Sequence, residues 1–297
     1  MNKVAIVGMG GMGHRMAAEL TAGGHEVLTC LSGRGALSKS RAEEAGARDV
    51  GTLSALVSEA ETILSVMPPE HARTFATEIA SACRTTSTSP LYVDCNAVAP
   101  QTSIDIGHTI TDAGAKFIDG SIIGMPPQNG KRIRLYVSGL ELDRLEPLDG
   151  HGMDVKPVGP RPGQASGLKM CYAALTKGQM TLHTVVLMLA HALDLFDAFS
   201  EELEFSQNDA WQRMQFTTPF IAPDSGRWVG EMREIAATFG AAHLPTGFHD
   251  AAAQVFEAAA STPLADATRE TADFSNPLSN VVALYTDACQ AALTKAH

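Results

Sequence analysis

Three glycines near the start of the chain carry the first recognisable chemistry. Gly8, Gly10 and Gly13 have the spacing G-x-G-x-x-G directly after the apolar run Val4-Ala5-Ile6-Val7, and the amphipathic run His14-Arg15-Met16-Ala17 follows. A strand feeding a helix through such a turn gathers backbone N–H groups at the helix N-terminus, where they and the helix dipole hold an anion. Gly8 permits the tight turn, Gly10 lets a pyrophosphate approach the backbone, and Gly13 lets the helix lie close to the strand. The whole stretch, Gly11 and Met12 included, is the candidate dinucleotide cradle. The flanking strand and helix, and a second strand over His25–Ser32, weigh against a merely structural turn.

The end of that second strand selects the dinucleotide. An Asp or Glu there would hold the ribose 2′-hydroxyl of NAD and repel a 2′-phosphate. The residues present are Leu31-Ser32-Gly33-Arg34, then Ser38, Lys39 and Arg41. A hydroxyl and cations suit a phosphate dianion, so Ser32 and Arg34 are assigned to the cofactor and NADP is expected in preference to NAD. A solvated loop is the alternative reading of Arg34 and Lys39.

The elements that position these groups alternate. Short β-branched runs (VAIVG, HEVLTCLS, ETILSVM, LYVDCN, AKFIDGSIIG, RIRLYVSG, MDVKPVG) are separated by helical stretches or turns up to about residue 159. This is the pattern of a doubly wound, mainly parallel α/β sheet of Rossmann type. At GPRPGQASG, residues 159–167, strand signals stop. The rest has helical spacing, beginning with one long segment from about Ala165 past Asp194. The expected domains are 1–162, a Rossmann domain binding NAD(P), and 163–297, an all-α domain for substrate and dimerisation. So many apolar helical faces on a short length suggest a homodimer through the helical domain.

Composition narrows the class. The chain has 297 residues, 45% hydrophobic and 19% charged, with mean hydropathy +0.01, which suits a folded globular protein. A net charge of -11 without a Lys/Arg cluster argues against nucleic acid and anionic membranes as partners. The most apolar later stretch, Val185–Ala190, is too short for a membrane span. No signal-peptide pattern follows Met1, so a cytoplasmic protein is expected. Cys30, Cys83, Cys95, Cys171 and Cys289 are scattered, odd in number and free of C-x-x-C, and read as reduced, buried thiols. No metal motif stands out.

With these residues placed, the chain resembles the β-hydroxyacid dehydrogenase superfamily, the relatives of 6-phosphogluconate dehydrogenase and 3-hydroxyisobutyrate dehydrogenase. The resemblance covers most of the chain. It rests on the glycine turn, on Ser65-Val66-Met67-Pro68-Pro69, on Asp94-Cys95-Asn96-Ala97-Val98-Ala99-Pro100, and on Gly163-Gln164-Ala165-Ser166-Gly167-Leu168-Lys169 opening the long helix. The family implies that Met67, Pro68 and Asn96 line the cofactor. It implies that Lys169 is the general acid or base, protonating a carbonyl oxygen in reduction and taking a hydroxyl proton in oxidation. A partly desolvated ammonium near an oxidised nicotinamide is expected to have a lowered pKa.

Three departures mark a divergent branch with a variant helical C-terminal domain. At helical spacing Lys169, Tyr172, Ala173, Thr176, Met180 and His183 share a face, and Ala173 stands where the family has an Asn. Tyr172 and Thr176 are the polar groups left there; Tyr172 is assigned to the catalytic set, with packing its alternative role, and His183 reads as a core histidine. In Asp119-Gly120-Ser121-Ile122-Ile123-Gly124 the family's substrate-binding serine is Ile123, and Ser121, on the same side of an extended segment, is assigned in its place. A C-terminal lysine is absent from Trp228-Val229-Gly230-Glu231-Met232, where Glu231 is expected to meet a polar or cationic substrate group. The expected activity is hydride transfer between NADP(H) and a small hydroxy acid or related alcohol. An imine reductase on the same fold and a non-catalytic NADP(H) redox sensor are the alternatives.

Overall fold

The computed structural model describes residues 2–127, 131–269 and 271–295. The chain divides into two compact units, Met1–Met170 and Cys171–His297.

In the first unit an eight-stranded sheet has the order β3-β2-β1-β4-β5-β6-β7-β8. The strands are β1 (Lys3–Val7), β2 (Glu26–Thr29), β3 (Arg48–Asp49), β4 (Thr62–Ser65), β5 (Leu91–Asp94), β6 (Lys116–Ile123), β7 (Ile133–Ser138) and β8 (Met153–Gly159). All neighbouring pairs are parallel except β6 with β7. Helices α1 (Gly11–Ala22), α2 (Ala36–Glu44), α3 (Leu53–Glu59), α4 (Pro69–Thr86) and α5 (Pro100–Thr111) join the parallel strands. A 3-10 segment, Leu142–Leu148, links β7 to β8. Pro157 sits in β8, the edge strand, where a missing backbone donor leaves no interior ladder broken.

Alternation along the strands explains the two-sided core. Val4 and Ile6 of β1 belong to one buried cluster with Met16 and Leu20 of α1, whereas Ala5 and Val7 belong to a second with Phe75 and Ile79 of α4 and Ile106 of α5. Period-two side chains thus bury both sheet faces under helices, which is why these runs read as nearly continuous apolar segments. Two elements escaped the sequence pattern: β3 is two exposed residues, and α3 is only seven long.

Helix α6 (Gln164–Ala192) leaves the first unit and enters the second. It stops before the predicted continuation past Asp194, because Asp194 adopts φ 57 and Leu195 N bonds back to Ala190 O. The second unit continues with α7 (Phe196–Ser206), α8 (Asn208–Thr217), α9 (Ala222–Ala241), α10 (Gly247–Ala260) and α11 (Leu278–Lys295). Trp228 of α9 packs edge-on against Phe256 of α10, with centroids 5.4 Å apart. The Tyr285 hydroxyl of α11 accepts from Ala222 N and donates to Thr218 O, fastening α11 to the α8–α9 corner. Burial pushes that phenol well above the usual tyrosine range. All five thiols are free, but only Cys30, Cys83 and Cys95 are buried; Cys171 is exposed on α6 and Cys289 is half-buried. Among the described residues no helix is long and apolar enough to cross a membrane.

Candidate functional site

The carboxyl ends of β1, β4, β5 and β6 lie on one edge of the sheet, and the first unit's candidate residues gather there. At the β1 end, Gly8 has φ +107, and a Cβ on it would lie 2.0 Å from Val66 O. A Cβ on Gly13 would lie 2.1 Å from Gly8 O. Both positions exclude a side chain for internal reasons, a tight turn and a close helix approach. Gly10 and Gly11 differ: a Cβ at either meets nothing within 4 Å among the described residues. That space lies at the start of α1, whose N-cap residue Gly10 makes no side-chain cap and whose first turn has no acid. Open space beside uncapped N–H groups fits a pyrophosphate. Met12 is half-buried and packs on the core beneath.

Beyond β2 the chain turns tightly, with Arg34 N on Leu31 O at 2.9 Å. Ser32 and Arg34 are exposed. Arg34, Lys39 and Arg41 make no ion pair among the described residues. An acid that sequence reasoning missed anchors this loop from the side: the Asp49 carboxylate of β3 accepts from Leu31 N and Gly51 N, each at 3.0 Å. It could not be found along β2, because it arrives through strand pairing.

Met67 and Pro68 follow β4 as half-buried turn residues. The buried Asn96 side chain accepts from Met67 N at 2.7 Å and donates to Ser65 Oγ at 3.0 Å and to Asp94. Asn96 therefore ties the β4 turn to the end of β5 and sets where Met67 and Pro68 stand.

At β6, Asp119 is fully buried and organises the start of α6. Its Oδ2 accepts from Ser138 Oγ, Gly163 N, Ala165 N and Ser166 N at 2.8, 2.8, 3.0 and 3.1 Å. Its Oδ1 accepts from Ser103 Oγ at 2.9 Å and Ser166 Oγ at 2.6 Å. Three of these donors are orphan N–H groups at the α6 start, so the carboxylate caps that helix and complements its dipole. Further along the same helix, half-buried Lys169 donates from Nζ to Ile122 O at 2.8 Å. Asp119, seen in the sequence only as a motif member, thus fixes the helix that carries Lys169. Ser121, next to Ile122, is fully buried, and its Oγ has no hydrogen-bond partner among the described residues. A buried hydroxyl without a partner is costly, and Thr29 and Tyr92 share that condition.

The remaining candidates lie in the second unit. Along α6, Ala173 and His183 are buried, Thr176 and Met180 half-buried, but Tyr172 is 48% exposed, so it sits at the margin of the predicted face. Burial and the Arg213 charge hold the His183 imidazole below its usual pKa, as for a neutral core histidine. Glu231, expected at substrate, is buried and already matched by cations: Lys177 Nζ lies 2.5 Å from Oε2 and Arg227 Nη1 2.8 Å from Oε1. Lys177 also lies over the Trp228 ring, 5.6 Å from its centroid. Arg227 continues to Asp224, which Arg269 also pairs.

Residues 3–132 match the NAD binding domain of 6-phosphogluconate dehydrogenase, and residues 190–259 match a domain of unknown function (DUF1932). An uncharacterized 28.5 kDa protein of Methanothermus fervidus is 29% identical over 179 residues, 60% of this chain and 67% of that protein. Among solved structures, the 3-hydroxyisobutyrate dehydrogenase of Mycobacterium tuberculosis aligns with TM-score 0.69 at 18% identity, covering 95% of this chain and 98% of that one. A Streptomyces aurantiacus imine reductase aligns with TM-score 0.53 at 19% identity, covering 95% and 99%. The first unit is thus a nicotinamide-dinucleotide-binding domain, on a fold common to 3-hydroxyacid dehydrogenases and imine reductases. The second unit carries a separate match, to a domain of unknown function, over residues 190–259.

Proposed function

We propose that this chain is an NADP(H)-dependent oxidoreductase acting on the carbinol or carbonyl carbon of a small hydroxy acid or related alcohol, with Lys169 as general acid and base. The observation that carries the reading is the Lys169 ammonium held by Ile122 O at the carboxyl end of β6, beside the unpartnered Ser121 hydroxyl and on the sheet edge that bears the open glycine cradle. When bound, the nicotinamide supplies or receives the hydride. The chain's own groups do the rest. The Gly10–Gly11 backbone and the α1 N-terminus bind the pyrophosphate, and Ser32 and Arg34, with Lys39 nearby, bind the 2′-phosphate. Lys169 gives its proton to the carbonyl oxygen in reduction and recovers it in oxidation, while Ser121 orients the substrate by donating to its polar group. Tyr172, exposed one turn after Lys169 on α6, is the further polar group of the catalytic set.

Fluorescence titration with NADPH and NADH, then a panel of hydroxy acids, aldehydes and imines, tests this. NADPH binds at least about tenfold tighter, and Arg34→Ala removes the gap, as a charge-assisted contact of roughly 1.5–3 kcal/mol requires. Lys169→Ala leaves NADPH binding intact and lowers kcat by about 10²–10⁴. Turnover of imines alone reassigns the substrate to C=N; NADPH binding without any turnover makes the protein a sensor.

Assembly is part of the same reading: a homodimer through the helical domain. Its support is the exposed Leu175, Leu182 and Leu189 on α6, seven residues apart, the repeat of a helix-to-helix seam and one that a two-fold axis can match with itself. Light scattering after gel filtration gives twice the chain mass for wild type and the single chain mass for Leu182→Glu.

A further inference from the structure

The first unit contains a cavity of about 580 Å³ that none of the site residues touches. It opens at the amino end of β6, the opposite sheet edge from the glycine cradle, between α5, the turn after β7 and the segment joining β8 to α6. Its size falls in the range of small-molecule pockets. Ile104, Phe117, Leu140, Pro160 and Pro162 give it an apolar body, and His108, Thr111, Lys116, Glu141 and Arg161 are its polar lining. Leu140 is 74% exposed, held out by a corner in which the next residue, Glu141, takes the left-handed φ of 58. Such a corner persists only where the surroundings fix it, and here Lys116 at 3.0 Å and Arg144 at 3.5 Å pair with Glu141.

The cavity's charges do not cancel. Lys116 and Glu141 neutralise each other, but Arg161 lines the same cavity with no ion pair among the described residues. A bare guanidinium beside an apolar pocket matches one ligand chemistry, a carboxylate on a hydrocarbon body. We propose that this cavity is a second binding site, for a small amphipathic monocarboxylic acid whose apolar body lies on Phe117 and Leu140 and whose carboxylate meets Arg161. Arg161 N donates to Gln164 Oε1 at 3.0 Å, and Gly163 N donates to Asp119, so the ligand would rest on the strap that starts α6. Occupancy therefore bears on the helix carrying Lys169, without contact with substrate.

Isothermal titration of the NADPH-saturated protein with octanoate tests the proposal, with octylamine as the probe of reversed charge. Octanoate binds once per chain, octylamine does not, and both Arg161→Gln and Leu140→Asp weaken octanoate at least about tenfold while Arg161→Lys retains part of it. Unchanged thermal melting and NADPH binding of these surface variants show that the fold and the cofactor site are intact. Equal binding of octylamine, octanoate binding indifferent to Arg161→Gln, or binding lost in Lys169→Ala overturns the proposal. The last outcome places octanoate at the hydride-transfer site. None of these outcomes depends on turnover, so failure here is distinct from failure of the catalytic reading.

Discussion

Asp119 in the first unit and Glu231 in the second are both buried carboxylates, and the molecule accommodates them in opposite ways. Asp119 is surrounded by neutral donors, three backbone N–H groups at the α6 start and three serine hydroxyls. Glu231 is matched by two cations, Lys177 and Arg227. Hydrogen bonds to a fixed backbone hold a helix start in one place. An ion pair between flexible side chains is a mutual compensation, and each partner is needed chiefly because the other is buried. The first device positions; the second can in principle be removed whole.

The largest expected effect is therefore Asp119→Ala. Six donors lose the carboxylate, three of them on backbone that cannot be mutated away, with Ala165 N keeping a second acceptor, Ser138 Oγ, and the loss is about 4 kcal/mol or more in urea unfolding. Asp119→Asn keeps one acceptor oxygen for the α6 amides and costs about half as much. Next comes Glu231→Leu, which strands the Lys177 ammonium and costs about 3–5 kcal/mol. Adding Lys177→Met to Glu231→Leu returns stability to within about 1 kcal/mol of wild type, because a packed apolar pair replaces the ions. No second substitution rescues Asp119→Ala. If the Glu231/Lys177 double variant stays as unstable as the single one, the contrast between the two carboxylates fails.

The sequence exposes the local half of this architecture. The Gly8 and Gly13 constraints are steric and nearly contiguous, and alternation of β1 between two cores is written in Val4-Ala5-Ile6-Val7. Strand β3 is too short for any periodicity to register, and the end of α6 depends on one left-handed residue, Asp194, that other residues could have avoided. Long-range pairing has no such local signature. Asp119 meets amides 44 to 47 residues away, and Lys177 meets Glu231 across 54. Glu231 looked available for substrate because its cations lie on another helix or one turn back on its own, and a charge in a sequence carries no record of its partner. Asp49 shows the same limit: the strand neighbour that brings an acid to the cofactor loop has no pattern along β2.

The smallest expected effect separates titration from pairing. His183 and His249 in the second unit have imidazole pKa values lowered first by burial, to which the Arg213 charge adds for His183, whereas Asp250 partly offsets the shift for His249. A lowered histidine pKa means that the unfolded chain takes up the proton first as pH falls below about 6.5. Its contribution is thus fully present near neutrality and is lost as pH descends from there to the folded-state value, below which no further loss occurs. The second unit consequently weakens in mildly acidic solution. Thermal melting of wild type and His183→Gln between pH 7.5 and 5 checks this: the variant is flatter below about pH 6.5, and parallel profiles would mean that the histidine is as accessible to protons folded as unfolded. Because no ion pair is broken in this range, the Glu231/Lys177 double variant keeps the wild-type slope, which distinguishes a burial effect from an electrostatic one.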